Sequence, residues 1–562
     1  MSTELLQRLL IMAGLLAMSV SVYAGSAALQ RGFSLDRVPE IRVDDLDVAT
    51  LEQRYPSPTD KRQPFVYAEA VELSISFAES AEWKQIETGQ WVGRLVLRSP
   101  GATSIDFGFE RFQLPAGGRV VVYDPQANLV RGPFTKADAT GGRWIPLVKG
   151  DTVVVEATVS DIEQTELVIG KVHRGFREFW KANVATKSGP CNIDVVCPEG
   201  APWREEIRSV ARYTFNRGTQ GIVCTGSLVN NTGAHLRPYF LTANHCVSTV
   251  AEAASLTTFW NYETSQCAGV PDGSLAQSQS GSIIRATSAT MDFTLLELDQ
   301  VPAAAFAVHY AGWDHSATAP NSGATIHHPT GDEKRISFEN DPLIITEFGE
   351  NVEDNTQHYL RVFNWDLGTT EAGSSGAGLW NANHHIVGTL SGGSASCSAP
   401  LPDWYGRFAT AWTGDGNTAT SLAAWLDPTN SGVVSLDGVD AGAKNQIPNA
   451  IAFSTGSVVE NSTATLDGTA SHDVDGGVIT FQWTQTTGPT VTLSDPTAAA
   501  ATFTAPEVSG NTTLGFRLIV TDAAGAVDED TTFVTVTNPA GIGGGGGGAT
   551  GWLLVLLCVC MT

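Results

Sequence analysis

Most of the cysteines lie in one part of the chain, and this placement divides the sequence. Six of the eight fall within residues 188–444, two lie close to the C-terminus, and none lies in residues 25–187. An even number of cysteines in an exported domain predicts three disulfides, although six cysteines allow fifteen pairings. Zinc is the alternative, but no pair has the close Cys-x-x-Cys spacing of structural sites. We therefore expect a disulfide-bonded domain with neither metal nor other cofactor.

The first residues predict export. Residues 9–22 are apolar and follow the basic Arg8, and Val22-Tyr23-Ala24 supplies small residues at the cleavage positions. This pattern is typical of a signal peptide spanning residues 1–24, with a buried helix as the alternative. We expect a secreted, extracellular protein in which disulfides can form.

Length and charge limit the architecture and the partners. A chain of 562 residues is too long for one core and should hold three or four domains. Its 57 glycines and a charged fraction of only 16% favour a mainly β protein. The net charge of −26 argues against nucleic acid and anionic membranes as partners.

Residues 25–187 combine alternating apolar and polar segments with glycine turns, which predicts a β-rich domain. The predicted strands are residues 71–77, 91–97, 119–123 and 152–159. The domain lacks any cluster of catalytic groups, so we interpret it as a pro-region that assists folding and blocks the site of a following hydrolase. A permanent accessory domain is the alternative.

Three stretches of residues 188–444 suggest nucleophilic catalysis. His245 follows an apolar strand and precedes a cysteine, Asp292 heads an apolar strand 47 residues later, and Ser375 stands in the glycine-rich residues 373–378. A serine on a tight turn can attack a carbonyl if a histidine takes its proton and an aspartate orients the histidine. Each residue alone is more often structural, so their order and spacing carry the prediction.

The same segment resembles the chymotrypsin-fold serine peptidases, and more closely the secreted bacterial lysyl endopeptidases. The stretches that carry the resemblance are residues 191–200, 224–232, 260–262, 292–298, 326–329, 334–337 and 405–407. The resemblance implies a trypsin-like double β-barrel that ends in a short helix at residues 421–426.

The resemblance also implies roles for individual residues. It makes Ser375 the nucleophile, His245 the general acid and base, and Asp292 its orienting partner. Backbone N–H groups of Gly373 and Ser375 would form the oxyanion hole. The implied disulfides are Cys191 with Cys397, Cys197 with Cys267, and Cys224 with Cys246.

Specificity depends on a buried carboxylate, because an unpaired ammonium group is costly in a low dielectric. Pancreatic trypsins place an aspartate six residues before the nucleophile, where this chain has Thr369. Lysyl endopeptidases supply the acid after the last cysteine, which implies Asp403, with Asp366 as the runner-up. The strand expected to form the pocket wall and to pair with substrate contains Thr389, Ser391, Gly392 and Gly393.

Activation should not use the N-terminal salt bridge of vertebrate trypsins, because Ser374 replaces the aspartate that receives the new amine. Removal of the pro-region is the expected switch, so the protein would be a zymogen. Lys187 lies just before the family's mature start. A lysine-specific enzyme could free itself by cutting after that residue.

Beyond residue 444 the composition shifts to Thr, Val, Ser and Ala. The predicted strands are residues 458–466, 479–483, 490–493, 502–504, 514–521 and 532–536. They indicate an immunoglobulin-like β-sandwich at residues 445–538, and residues 466–485 resemble the PKD-type modules of secreted bacterial hydrolases. Contact with a cell surface or polymer and a spacer role are both open, and Asp473 and Asp475 are candidate calcium ligands.

Residues 539–562 combine a glycine tract with an apolar run too short to span a bilayer. They resemble C-terminal sorting signals that are trimmed during export, but lack the usual closing basic cluster. Removal of this tail and association with the cell surface through it are both open.

Together these features predict a secreted, monomeric serine endopeptidase that cuts proteins or peptides after lysine through an acyl-enzyme. The alternatives are a protease that cuts after both lysine and arginine, and an inactive relative kept as a binding or adhesion protein.

Overall fold

The computed structural model describes residues 26–135, 142–179, 188–354 and 356–538. The predicted signal peptide, Lys187 and residues 539–562 lie outside the described residues. We call residues 26–179 the N-terminal segment, 188–444 the central domain and 445–538 the C-terminal domain. Among the helices that the structure describes, none is long and apolar enough to cross a membrane.

The N-terminal segment is built mainly from strands rich in β-branched and aromatic residues, which suit a pleated, half-buried surface. Its strands are β1 (Glu40–Arg42), β2 (Phe65–Ser76), β3 (Glu82–Gln85), β4 (Trp91–Arg98), β5 (Ser104–Gln113), β6 (Arg119–Tyr123), β7 (Val130–Phe134), β8 (Arg143–Lys149), β9 (Thr152–Val159) and β10 (Glu166–Gly175). Its short helices are α1 (Ala27–Gln30), α2 (Val48–Arg54) and α3 (Phe77–Ser80). Strands β1, β4, β9, β6 and β7 form one sheet in that order, with β3 beside β4.

The central domain is built mainly from two large sheets, with one further two-stranded sheet and few helices. Its strands are β11 (Ile193–Asp194), β12 (Val210–Arg217), β13 (Gln220–Leu228), β14 (Tyr239–Thr242), β15 (Thr257–Trp260), β16 (Ser278–Ser280), β17 (Ser282–Ser288), β18 (Phe293–Leu298), β19 (His309–Tyr310), β20 (Gly312–Asp314), β21 (Gly323–His327), β22 (Arg335–Glu339), β23 (Ile344–Thr346), β24 (Tyr359–Val362), β25 (Gly378–Trp380), β26 (His385–Gly393), β27 (Asp403–Arg407), β28 (Ser435–Leu436) and β29 (Val439–Asp440). The helices are α4 (Arg204–Ser209), α5 (Val250–Ala254), α6 (Phe408–Thr413) and α7 (Ala423–Leu426), with 3-10 turns at Pro198–Trp203, Ala304–Phe306 and Pro329–Gly331. The predicted closing helix is therefore present as α7, which begins later than expected.

One sheet crosses from the N-terminal segment into the central domain. Strand β2 pairs antiparallel with β13, and the order β16-β15-β12-β13-β2-β10-β5-β8 is continuous. Strands β14, β17 and β18 extend the same sheet from β13. The second sheet of the central domain contains β21, β25, β26 and β27 as neighbours. The N-terminal segment thus continues the sheet of the central domain through main-chain hydrogen bonds.

Three disulfides are present in the central domain. They join Cys191 to Cys397, Cys197 to Cys267, and Cys224 to Cys246. These are the pairs that the family resemblance implies. The third closes a short loop with a sequence separation of 22.

The C-terminal domain packs two small sheets around a core that includes Trp483 and Phe516. Its strands are β30 (Phe453–Ser454), β31 (Ser457–Val459), β32 (Thr463–Asp467), β33 (Thr480–Thr487), β34 (Ala500–Thr504), β35 (Thr512–Thr521) and β36 (Val527–Thr537). Asp475 accepts hydrogen bonds from the backbone and side chain of Gln446, where the chain enters this domain.

Two strand predictions for this domain are wrong. Residues 490–493 are not a strand, although Val491 and Leu493 pack against the core. The predicted strand at residues 458–466 is two strands, because Asn461 adopts a left-handed conformation with φ of 63°. The fold class is confirmed: a mainly β chain with a trypsin-type central domain, a β-rich N-terminal segment and a C-terminal β-sandwich.

Candidate active site

His245 and Asp292 form a close pair between the ends of two strands. His245 follows β14, and Asp292 immediately precedes β18, which pairs with β14. One carboxylate oxygen of Asp292 lies 2.8 Å from Nδ1 of His245, and the other accepts the His245 backbone N–H at 2.9 Å. The histidine side chain keeps 19% of its surface exposed. A carboxylate at Nδ1 fixes the ring orientation and leaves Nε2 for proton transfer.

Ser375 stands on a turn that requires glycine on both sides. Gly373 and Gly376 have φ values of 91° and 83°, in the left-handed region. A Cβ atom on Gly376 would lie 2.4 Å from the carbonyl oxygen of Thr225. Thr225 holds the turn, since its N–H donates to the Ser375 carbonyl and its hydroxyl to the Gly373 carbonyl. Within the described residues, the N–H groups of Gly373 and Ser375 make no backbone hydrogen bond.

The Ser375 hydroxyl contacts a residue of the N-terminal segment. It donates a 2.7 Å hydrogen bond to the carbonyl oxygen of Lys61. The backbone of Lys61 therefore covers the Ser375 hydroxyl.

The side chain of Lys61 enters a buried pocket that ends at Asp403. Its ammonium group lies 2.5 Å from Oδ1 of Asp403, and the two side chains are 1% and 0% exposed. The other carboxylate oxygen accepts hydrogen bonds from Trp365 Nε1 at 2.9 Å and from the Thr370 hydroxyl at 2.5 Å. Burial lowers the pKa of Lys61, and the nearby Asp403 carboxylate opposes that shift.

Strand β26 lies beside this lysine. The Gly393 carbonyl accepts a long hydrogen bond of 3.5 Å from the Lys61 N–H. Gly392 leaves room for the next residue, since a Cβ there would lie 2.8 Å from Cγ of Arg62. Ser391 is fully buried. The Thr389 hydroxyl donates to the Asp292 carbonyl at 3.5 Å, so this residue lies behind the histidine–aspartate pair.

Ser374 belongs to a buried hydrogen-bonded chain below the turn. Its hydroxyl lies 2.7 Å from Nδ1 of His327, and the Nε2 of that ring lies 3.2 Å from the Ser337 hydroxyl. Ser337 in turn donates to the Thr369 carbonyl at 2.7 Å. Burial lowers the pKa of His327 to about 3, with Lys61 adding to the effect. A neutral imidazole is therefore the partner of residue 374, and no charged group is needed there.

Asp366, the second candidate for the pocket carboxylate, lies at the surface and not in the pocket. Asp366 is exposed and accepts hydrogen bonds from the backbone and side chain of Asn340. The pocket assignment to Asp366 is therefore wrong, because its carboxylate is committed at the surface.

Sequence reasoning missed Lys61, Trp365 and Thr370. One signal was available for the first, because Lys61-Arg62 is a basic pair within a segment rich in Pro, Ser, Thr and Asp. No local pattern marks the other two as partners of Asp403.

One group of side chains that could hold a cation lies outside this site. In the part of the chain that the structure describes, Glu205, Glu206 and His309 place ligand atoms within 4.8 Å of one another. Two of the three already form ion pairs with other side chains: Glu206 pairs with His384, and His309 pairs with Asp440.

Residues 185–406 match the family described as "Lysyl endopeptidase, C-terminal domain". A lysyl endopeptidase of Pseudomonas aeruginosa is 31% identical over 348 residues, which cover 57% of this chain and 72% of that relative. The chain belongs to the lysyl endopeptidase family. As a member of this family it is a serine endopeptidase, and its substrates are proteins or peptides.

One further family match and two solved structures complete the comparisons for this lysyl endopeptidase family member. Residues 454–536 match a family described as a PKD domain. Solved structures with some likeness include the secreted serine protease VesC of Vibrio cholerae, at 12% identity over 59% of this chain and 69% of that one, with a TM-score of 0.26. The protease Anisep of Arthrobacter nicotinovorans is 14% identical over 36% of this chain and 91% of that one, with a TM-score of 0.27.

Proposed function

We propose that this protein is a secreted endopeptidase that cleaves peptide bonds after lysine through an acyl-enzyme. The observation that carries the proposal is the seating of Lys61, whose ammonium group meets Asp403 while its carbonyl oxygen meets the Ser375 hydroxyl. A lysine at the cleaved position of a substrate would place its ammonium group on the same carboxylate and its carbonyl carbon beside the same hydroxyl.

The proposed chemistry uses three side chains and two backbone groups. His245 takes the proton of the Ser375 hydroxyl, and the serine oxygen attacks the substrate carbonyl. Asp292 keeps the imidazole oriented and stabilises its charged form. The N–H groups of Gly373 and Ser375 then stabilise the oxyanion, and the protonated histidine donates to the leaving amine. A water molecule then attacks the acyl-enzyme carbonyl while His245 takes its proton. The histidine returns that proton to the Ser375 oxygen, and the acid product leaves.

The preference for lysine rests on the buried carboxylate of Asp403. Moving an ammonium group from water into a buried pocket costs desolvation free energy. A carboxylate in the pocket offsets that cost by pairing with the ammonium group. Because Asp403 is fully buried at the end of the pocket, a neutral substrate side chain would leave its negative charge without a cation.

The N-terminal segment would act as a pro-region in this scheme. Lys61 fills the pocket and covers Ser375, so substrate has no access until residues 26–179 are displaced. Export before activation agrees with the three disulfides, which form in oxidising compartments.

Digestion of a proteome-derived peptide library tests the proposal. The activated enzyme should produce new C-termini that are almost all lysine, and Ser375→Ala should produce none. Equal cleavage after lysine and arginine would overturn the lysine preference. Failure of a serine-directed phosphonate to label Ser375 in the activated enzyme would overturn the catalytic assignment itself.

A further inference from the structure

The contacts of Asp403 carry an inference that rests on the proposed function and deepens it. We infer that Thr370 and Trp365 determine the preference for lysine over arginine, by occupying one of the two carboxylate oxygens. Oδ2 accepts from both side chains, whereas Oδ1 is left to the ammonium group of Lys61. Thr370 is fully buried and Trp365 is 8% exposed, so water is not a ready substitute for either donor.

The ammonium group of lysine and the guanidinium group of arginine need different arrangements of hydrogen-bond acceptors. A carboxylate oxygen offers about two lone-pair positions, and on Oδ2 both are used. An ammonium group is a compact point charge that is satisfied by Oδ1 alone, while a guanidinium presents a planar fork that pairs best with both oxygens. A substrate arginine in this pocket would bury guanidinium N–H groups that have no hydrogen-bond acceptor, which is unfavourable.

The test compares Thr370→Val and Trp365→Phe in the activated enzyme. Two peptide amides that differ only in lysine or arginine at the cleaved position are assayed for kcat and KM. We expect the lysine-to-arginine ratio of kcat/KM to fall about tenfold in Thr370→Val and further in the double variant, because Oδ2 becomes available to the fork. Thr346→Val, at a buried threonine of the same domain, is the matched control and should keep the parental ratio.

The outcomes separate this inference from the proposed function. A parent that prefers lysine, with both variants keeping its ratio within about twofold, overturns the role of Thr370 and Trp365 while the proposed function stands. A parent that cuts equally after lysine and arginine overturns the lysine preference and this explanation of it together. If kcat/KM falls equally for the lysine and arginine peptides, their ratio is unchanged. The two side chains would then have only a structural role, which also overturns the inference.

A different set of contacts leads to a second proposal. We propose that residues 60–63 form a turn that lets the enzyme bind Lys61 without cutting after it. The Gln63 N–H donates to the Asp60 carbonyl at 3.0 Å, which closes a turn with Lys61 and Arg62 at its centre. The Asp60 side chain also accepts the Arg62 N–H at 3.0 Å. The guanidinium group of Arg62, within the turn, lies 3.9 Å from the centre of the Phe348 ring.

A turn differs from the extended chain that would pair along β26. A bound peptide that adds a strand to a sheet edge makes successive main-chain hydrogen bonds. Lys61 donates a long one, to the Gly393 carbonyl. The following residues are fixed as well, because β2 begins at Phe65 and pairs with Val223 of β13. The Lys61–Arg62 bond is thus held on both sides and away from the extended geometry, so Lys61 blocks the pocket as an inhibitor.

The full-length chain with Ser375 intact is incubated at a concentration low enough that cleavage within one molecule predominates, and the same chain with Ser375→Ala is the control. Intact mass and N-terminal sequencing report cleavage between Lys61 and Arg62. We expect little cleavage of this bond in the parent and at least about tenfold faster cleavage when Asp60→Ala and Gln63→Pro remove the two turn contacts, both at positions outside the core. Equal rates of cleavage at this bond in the parent and the turn variant would overturn the proposal.

A second measurement keeps the test independent of processing. In the full-length chain, Lys61→Met should raise the rate at which a phosphonate labels Ser375, because the ammonium–carboxylate contact in the pocket is lost. A parent that is labelled as fast as this variant would show that Lys61 does not block the site, and would overturn the proposal.

Discussion

The ammonium group of Lys61 lies 2.5 Å from Oδ1 of Asp403, across a sequence separation of 342 residues. This contact joins the N-terminal segment to the pocket that we assign to the substrate lysine. It places a fully buried carboxylate opposite a cation that is itself 1% exposed. Removing one partner of such a pair is strongly destabilising, because the other charge stays buried and unpaired.

Replacing the pocket carboxylate should remove the lysine preference. We expect Asp403→Asn to lower kcat/KM for lysine peptides by about 100- to 5,000-fold, since leaving a buried cation unpaired costs about 3–5 kcal/mol. Peptide amide hydrolysis by the activated enzyme measures the change. The control is Asp366→Asn, at an exposed aspartate in the loop after β24, which should keep parental rates. Lysine cleavage that survives in Asp403→Asn would contradict the pocket assignment.

The turn that carries Ser375 should not tolerate a side chain beside it. Gly376→Ala would place a Cβ 2.4 Å from the Thr225 carbonyl oxygen, at a φ of 83° that L-residues rarely adopt. We expect activity to fall at least about 100-fold and stability by about 1–3 kcal/mol, because the turn must move to relieve the contact. Gly416→Ala is the matched control, since that glycine also has a positive φ of 79° but has open space around it. Full activity in Gly376→Ala would contradict the role of the turn.

The disulfide beside His245 should stabilise the loop that carries this residue. Replacing Cys224 and Cys246 together with alanine opens a loop with a sequence separation of 22. We expect a loss of about 3 kcal/mol in the free energy of unfolding, from the chain entropy regained by the unfolded state. Denaturant unfolding in a Ser375→Ala background, which prevents self-digestion, measures it. A midpoint unchanged from that of the parent would show that the bridge contributes nothing.

Stability at acid pH should depend on His327. Burial lowers the pKa of this residue to about 3, below its ordinary value of about 6.5. Between these values the unfolded chain binds a proton that the native protein does not, so the free energy of unfolding falls as pH falls. From about pH 7.5 to about pH 5 this one group accounts for a loss of about 2 kcal/mol.

The substitution His327→Asn keeps an amide near the Ser374 hydroxyl and removes the titrating group. We expect the loss of stability over this pH interval to be about 2 kcal/mol smaller in this variant than in the parent. Urea unfolding at the two pH values, again with Ser375→Ala, provides the measurement. The neighbouring His328, whose pKa is also lowered by burial, is present in both proteins. An identical pH dependence in the two proteins would contradict the assignment.

Much of the site could be predicted because its parts have local signatures. A histidine before a cysteine, an aspartate at the head of an apolar strand and a serine among glycines are each visible in the sequence. The structure brings His245 and Asp292 together and places Ser375 on a turn whose glycines have positive φ. The roles of these residues in catalysis stay predictions that the experiments above test.

The failures also have physical reasons. Residues 490–493 alternate as a strand would, yet Val491 and Leu493 reach the core without pairing to a neighbouring strand. Asp366 and Asp403 were both plausible pocket acids, and only burial separates the committed surface carboxylate from the buried one.

Local patterns were enough to predict the mainly β class and the stretches that carry the candidate triad, and the family resemblance implied the three disulfide pairs. Tertiary structure alone decided that Lys61 occupies the pocket, that Thr370 and Trp365 share one oxygen of Asp403, and that β2 joins the sheet of the central domain. The reason is that local signatures reflect turns and periodicity, whereas a contact between distant residues depends on how whole sheets pack. A basic pair in a polar loop has the same sequence pattern whether it faces solvent or fills a pocket.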